Sequence, residues 1–262
     1  NRNSKHSNRI MWLEFFNLNL IFLFLFLPKF DSMWFRKISF VGTVIGSIFI
    51  SNMNAQNRIT DRNNIGWYAA NATIKLDSKF SALVEYQWRR NNYISDWQQG
   101  LLRFGLNYQA LPNLQLRAGY AWAETFPYGE IPINGMGKDF TEHRIYEAAT
   151  ITGKISFIDL SHRFMLEQRW VGRYTNPSLT KEDEFTYHNR IRYMARLQAP
   201  LKGKSITDKT PYLVIYDEVM LGFGKNTGEN VFDQNRIGIL LGYQFNKNFR
   251  LEGGYLNQII QL

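Results

Sequence analysis

At 262 residues, with 45% hydrophobic and 20% charged content, the chain is long enough for one large or two small domains and too apolar to remain disordered. Cysteine is absent, which excludes disulfides, thiolate metal sites and lipidation at a cysteine. The net charge of +9 would suit nucleic acid, but residues 1–55 hold six Lys/Arg against two acids; the remainder carries only +5, has no contiguous basic run, and sets its arginines and aromatics on opposite strand faces.

The amino end reads as targeting sequence. From Met33 the chain runs "MWFRKISFVGTVIGSIFISNMNAQ": Arg36 and Lys37 give a positive start, Ile38 to Ile50 an apolar stretch of signal-peptide length, and Ala55 a small residue before cleavage. That stretch is too short to span a membrane, which takes about 20 apolar residues as a helix. Upstream, "FFNLNLIFLFLFLPKF" is interrupted by Asn17 and Asn19 and stopped by Pro28. The expected organisation is a spurious upstream extension over 1–32, a signal peptide over 33–55, and one domain over 56–262.

Beyond Asn57, period-two alternation replaces any helical period. Strands are expected near 64–77, 80–91, 98–109, 114–124, 141–153, 157–172, 185–198, 211–222, 234–245 and 249–260. Short turns at "DSK", "ALPN", "GKIS" and "NKN" alternate with the longer polar loops "NNYISDW", "FPYGEIPINGMGKDF", "TNPSLTKEDEF" and "GKNTGENVFDQ". Short turns on one rim and long loops on the other is the pattern of an outer-membrane barrel. One link, "APLKGKSITDKTP", is long where the pattern asks for a short one.

The two faces of these strands differ in kind. One carries Ala82 and Val84; Leu102, Phe104 and Leu106; Leu114, Leu116 and Ala118; Ile191 and Ala195; and Ile237, Ile239 and Leu241. Toward the strand ends stand Tyr86, Trp88, Tyr108, Tyr120, Trp122, Trp170, Tyr193, Tyr243 and Phe245, as aromatic girdles would. The other face carries Glu85, Arg89, Arg103, Arg117, Glu142, Arg144, Arg163, Glu167, Arg169, Arg190, Arg192, Arg196, Glu218 and Arg236. Charges enclosed in a barrel must pair or be hydrated, so an Arg/Glu ladder across the lumen is expected. The fold class is therefore all-β: a transmembrane antiparallel up-and-down β-barrel with ten strands visible, ten to twelve in the complete protein, and a narrow or plugged lumen.

Chemistry-bearing motifs are sparse. His143, His162 and His188 lie on separate strands without a His-x-His pair, so no metal or cofactor is expected. Ser161 and His162 point to opposite faces and cannot form a dyad, and no catalytic residues are assigned. The run "KEDE" at 181–184 is expected in an outer loop, either solvated or sharing divalent cations with lipopolysaccharide phosphates. "FPYGEIPINGMGKDF" is long and aromatic enough to plug the mouth or present a surface.

Several stretches are similar to an uncharacterised outer-membrane β-barrel family typical of Bacteroidota, domain of unknown function 2490: "EYQWRRNN", "DWQQ", "GYAWAETFPYGEIPINGMGKDFTEHRIYE", "SHRFMLEQRWVGRY", "NRIRYMARLQAPLKGK" and "FDQNRIGILLGYQFNKNFRLEGGYLNQ". The resemblance covers about 57–262 and brings no known activity, substrate or catalytic residue. Similar members continue into a final strand ending in aromatics, whereas this chain stops at "NQIIQL", so it is expected to lack its last strand. Three functions follow as expectations: a narrow pore or binding barrel for a small anionic solute; a structural or assembly partner of another outer-membrane protein; and a lipid-modifying enzyme acting through His162. The expected location is the outer membrane of a Gram-negative bacterium, in contact with lipid and lipopolysaccharide and with no nucleic acid.

Overall fold

A computed structural model describes residues 61–261 apart from 132, 134, 135 and 228–230. The expected upstream extension and signal peptide lie outside the described residues. Ten strands follow one another: β1 (Ile65–Lys75), β2 (Phe80–Asn91), β3 (Asp96–Leu111), β4 (Leu114–Thr125), β5 (Phe140–Ile155), β6 (Ile158–Arg173), β7 (Glu184–Pro200), β8 (Thr210–Phe223), β9 (Phe232–Asn246) and β10 (Phe249–Ile260). They pair in sequence order as one antiparallel up-and-down sheet, curled into a half-barrel.

The expected strands are recovered to within a few residues at each end. The turns have local chemical causes. Between β1 and β2, the Asp77 carboxylate accepts the amides of Lys79 and Phe80, both at 2.7 Å; between β9 and β10, the Asn246 side chain accepts those of Asn248 and Phe249 at 2.9 and 3.1 Å. Such side-chain-to-backbone bonds close a turn without any tertiary help. The β2–β3 connection is shorter than "NNYISDW" suggests, because the strands extend until only 92–95 remain. Asn92 and Tyr93 take φ of 45° and 70° to make that tight reversal. The longer links 126–139, 174–183 and 224–231 sit on the same rim as 92–95, and the anomalous link on the opposite rim reduces to 201–209.

Side chains from strands that are not neighbours in the sheet converge on the charged face. Arg236 of β9 lies over the Trp67 ring of β1 at 4.8 Å, Arg196 of β7 reaches Glu252 of β10 at 2.6 Å, and Arg163 of β6 reaches Glu218 of β8 at 2.7 Å. That face is the inside of the curl. It is the charged face, with Glu167 1% and Arg190 2% exposed, while Leu241 and Tyr255 on the other face are 63% and 69% exposed. The usual partition of polar and apolar residues is inverted.

Beside the charges, the concave face holds tyrosines that lie over glycines, together with the buried Leu101, Met165, Val214 and Met220. Gly105, Gly119 and Tyr146 stand in one register row; the fully buried Tyr146 lies across both glycines and donates its hydroxyl to the Phe104 carbonyl at 3.0 Å. A Cβ on Gly119 would overlap the Tyr146 hydroxyl and the β3 backbone. Tyr216 and Tyr212 cover Gly238 and Gly242 in the same way. Gly119→Val should therefore destabilise the sheet by about 1–3 kcal/mol through overpacking, whereas Gly153→Ala, which adds a methyl in open space, should leave it within about 0.5 kcal/mol. Urea unfolding of the two variants, followed by tryptophan fluorescence, provides the comparison.

Candidate functional site

The concave face carries all fourteen charged residues read from the alternation. Glu85, Arg89, Arg103, Glu142, Arg144, Glu167, Arg190, Arg192, Glu218 and Arg236 are buried; Arg117, Arg163, Arg169 and Arg196 are partly so. Strand register explains why they converge: Glu85 stands opposite Arg103, Arg144 opposite Arg169, Glu167 opposite Arg190, and Glu218 opposite Arg236.

Most of these charges form one connected network. Glu218 accepts from Arg192 and Arg163, both at 2.7 Å, and lies 3.5 Å from Arg236. Arg192 also bonds Glu167 at 2.8 Å, and Glu167 accepts from Arg190 at 2.6 Å. Arg190 continues to Asp233 at 2.7 Å, Asp233 lies 3.9 Å from Arg169, and Arg169 bonds Glu142. Glu142 holds Arg144 in a two-pronged fork at 2.7 and 2.8 Å. Beside the network stand two separate pairs, Arg103–Glu85 at 2.9 Å and Arg196–Glu252 at 2.6 Å, the latter carboxylate also accepting the Tyr212 hydroxyl at 2.9 Å. Planar guanidinium forks suit this work because one arginine can bridge two carboxylates in fixed directions.

Two of the concave-face arginines, Arg117 and Arg89, have no carboxylate partner among the described residues. Arg117 is satisfied by Asn107 at 2.5 Å and Gln115 at 3.3 Å. Arg89, 6% exposed, donates one Nη2 bond to Gln87 at 2.7 Å, stacks 3.6 Å from the Trp67 ring centre, and leaves its Nε without a partner. Arg89 borders a cavity of about 40 Å3 that is lined also by Arg103, Arg144, Arg190, Arg192, Arg236, three glutamines and Leu101. No carboxylate lines it.

Three contributors escaped the reading of the sequence. Asp233 lies one residue out of phase with Arg236, and a register shift where Met220 pairs with Gln234 but Leu221 with Phe232 turns it inward. A bulge of this kind has no signature in an alternation count. Glu252 and Trp67 were legible, since each sits in phase with inward neighbours; their strands simply carry few other charges.

Outside, aromatics gather at both ends of the strands. Tyr68, Trp88, Trp97 and Phe126 form a chain with ring centres 5.6, 6.1 and 5.9 Å apart near the long-loop rim, and Trp170 meets Tyr187 there at 5.3 Å. At the other rim Phe80 meets Tyr108 at 5.0 Å, and Tyr243, Phe245 and Phe249 follow at 4.7 and 5.2 Å. Tyr120 bonds His143, and Trp122 stands exposed near the end of β4. Tyr86 and Tyr193 stand nearer mid-strand. Tyr193 packs on Phe164 at 5.0 Å and bonds His162 Nδ1 at 2.7 Å. The three histidines do not converge: His143 and His162 serve separate outward tyrosines, and among the described residues no group of three or more His, Asp or Glu is placed to hold a metal ion.

The long 126–139 loop is tied down at both ends. The Phe126 amide bonds the Gln98 carbonyl at 3.0 Å, and Tyr128 hydrogen-bonds the Gln98 side chain close to Arg89. Burial pushes the Tyr128 phenol above its ordinary range. The Asp61 carboxylate accepts the Glu130 amide at 2.8 Å, and its bonds from Asn63 and that amide hold it below the usual carboxylate range. At the other end Lys138 donates to the Pro177 and Leu179 carbonyls, and Tyr174 to the Asp139 carbonyl at 2.8 Å. Two members of the "KEDE" run are engaged in the same lacing: Glu182 accepts the Thr141 amide and Asp183 caps Thr175.

Neutralising Glu218 tests the network. Glu218→Gln should cost about 3–5 kcal/mol, because three arginines then lose a buried counter-charge at once. Asp159→Asn, which breaks the exposed Lys154–Asp159 pair, should cost less than about 1 kcal/mol. Equilibrium unfolding in urea distinguishes the two.

No curated protein and no solved structure matches this chain. A family model, described as protein of unknown function (DUF2490), matches residues 64–262, which takes in every strand from β1 to β10. The chain belongs to the DUF2490 family.

Proposed function

We propose that this protein is an outer-membrane β-barrel whose concave face is an arginine-rich lumen, serving as a narrow or plugged pore or binding barrel for a small anionic solute. One observation carries the reading. A sheet that buries its charges and exposes Trp88, Phe104, Leu106, Ile145, Phe164, Ile191, Ile239 and Leu241 has its outward face matched to hydrocarbon, and far exceeds the apolar patch a soluble monomer tolerates. Strands of 11 to 17 residues meet the length a tilted strand needs to cross a bilayer, about 9–11 residues. Aromatics near both strand ends suit the two membrane interfaces, and the signal-peptide pattern over 33–55 suits export. The arginine excess gives the interior a positive potential, and the hydrogen bond of Tyr128 to Gln98 close to Arg89 suits a loop that folds toward the mouth.

Fractionation and electrophysiology test this reading together. The full-length protein should sediment with the outer membrane and, in planar bilayers, pass a small current whose reversal potential under a salt gradient favours anions. Recovery in the soluble periplasm would overturn the barrel reading. Membrane insertion without any current would overturn the pore.

A second reading, an assembly partner of another envelope protein, draws on a different observation. Inside the strand ends on the outward face, His162, Ala195 and Asp217 fall in one register row, with Asp217 at mid-strand. Tyr193 bonds His162, and Asn235 donates to Asp217 at 2.6 Å. Hydrogen-bonding groups at this depth are costly against lipid and suit a protein surface. The same row weakens the lipid-modifying alternative, since the neighbours of His162 across the sheet are Ile151 and Ala195 and not a serine.

A further inference from the structure

The 40 Å3 cavity gathers six guanidinium groups and no carboxylate. Its walls come from β2, β3, β5, β7 and β9, so it lies where the curl brings distant strands together. Glu85 compensates Arg103. Among the described residues, the connected network sets Arg144, Arg163, Arg169, Arg190, Arg192 and Arg236 against Glu142, Glu167, Glu218 and Asp233, an excess of two positive charges. Arg89 adds a third, compensated by nothing more than an amide oxygen and a ring face. The Nε atoms of Arg89 and Arg103 have no partner, although both side chains are more than nine-tenths buried. Buried N–H donors without acceptors and buried charge without counter-charge are each strongly disfavoured, and one anion relieves both.

We propose that this cavity binds a single small inorganic anion of halide or nitrate size. The inference rests on reading the concave face as the interior of a barrel, and it names the ligand class of that interior. The small volume, walled by guanidinium and amide groups, suits a compact anion better than a sugar, an amino acid or a nucleotide. A neutral water would satisfy the donors but leave the charge uncompensated. Guanidinium forks from several strands then converge on the ion, and Arg89 contributes most because it has no competing carboxylate. Bound there, the anion ties β2 to β5, β7 and β9 and is a structural element of the fold as well as a ligand.

The full-length protein in detergent, titrated with chloride, bromide or nitrate against gluconate at constant ionic strength, provides the test. The small anions should raise the unfolding temperature saturably and gluconate should not. Crystals soaked in bromide should show an anomalous peak among Arg89, Arg103 and Arg236. Arg89→Gln should weaken the response by at least about tenfold, as expected for losing charged hydrogen bonds. Should that variant fail to fold, Gln234→Glu decides: Gln234 lines the cavity and its oxygen already accepts from Arg236 at 2.9 Å, so a carboxylate there replaces the anion, raises anion-free stability and abolishes the response. Equal effects of gluconate and chloride, or an unchanged response in Gln234→Glu, would overturn the site. A saturable bromide site in a protein that passes no current sinks permeation alone; current without such a site sinks this inference alone.

Discussion

Burying charge is the constraint around which this molecule is organised. An ionised side chain taken out of water loses several kcal/mol unless a partner of opposite sign and the remaining hydrogen bonds are supplied in good geometry. The concave face supplies them by connection: Glu218, Glu167, Glu142 and Asp233 each touch at least two arginines, and Arg190 and Arg192 each touch two acids. Such a lattice fixes the curl, because its members come from strands up to four places apart in the sheet. Flattening the sheet would pull Arg169 of β6 from Asp233 of β9 and Arg236 from the Trp67 ring of β1. A hydrophobic core of the same shape would pack as tightly with less directional definition.

The same inversion dictates the outer surface. With most of its charged side chains committed inward, the sheet covers its outside mainly with aliphatic and aromatic groups, and the glycines that accept Tyr146, Tyr212 and Tyr216 let the inner layer close. The outward polar pairs, His162 with Tyr193 and Asp217 with Asn235, interrupt that cover. They satisfy one another by hydrogen bonds, which limits the cost of placing them there. The long-loop rim is laced by a different chemistry, in which loop carboxylates and backbone carbonyls hold 126–139 and 174–183 to each other through Lys138, Tyr174 and Glu182.

Strand existence, strand order and the division into a charged and an apolar face were legible in the chain, because each depends on period-two alternation and on turn residues a few positions away. Asp77 and Asn246 close their turns with bonds to amides two and three residues on, and "EYQWRR" already sets Glu85, Gln87 and Arg89 against Tyr86 and Trp88. Membership of these residues in one face is a local property. So is the phase that would have placed Trp67 and Glu252 inside.

Which arginine meets which acid was decided only by tertiary structure. Alternation says that Arg163, Arg192 and Arg236 face inward, but their meeting at Glu218 depends on register across three strand pairs and on curvature. The bulge that turns Asp233 inward, the approach of β9 to β1 through Arg236 and Trp67, and the lack of a carboxylate partner for Arg89 among the described residues are likewise products of the curl. Local sequence fixes the direction in which a side chain leaves its strand; the distance between strands that are far apart in order is set by the twist and coiling of the whole sheet, to which every residue contributes a little and none decides alone.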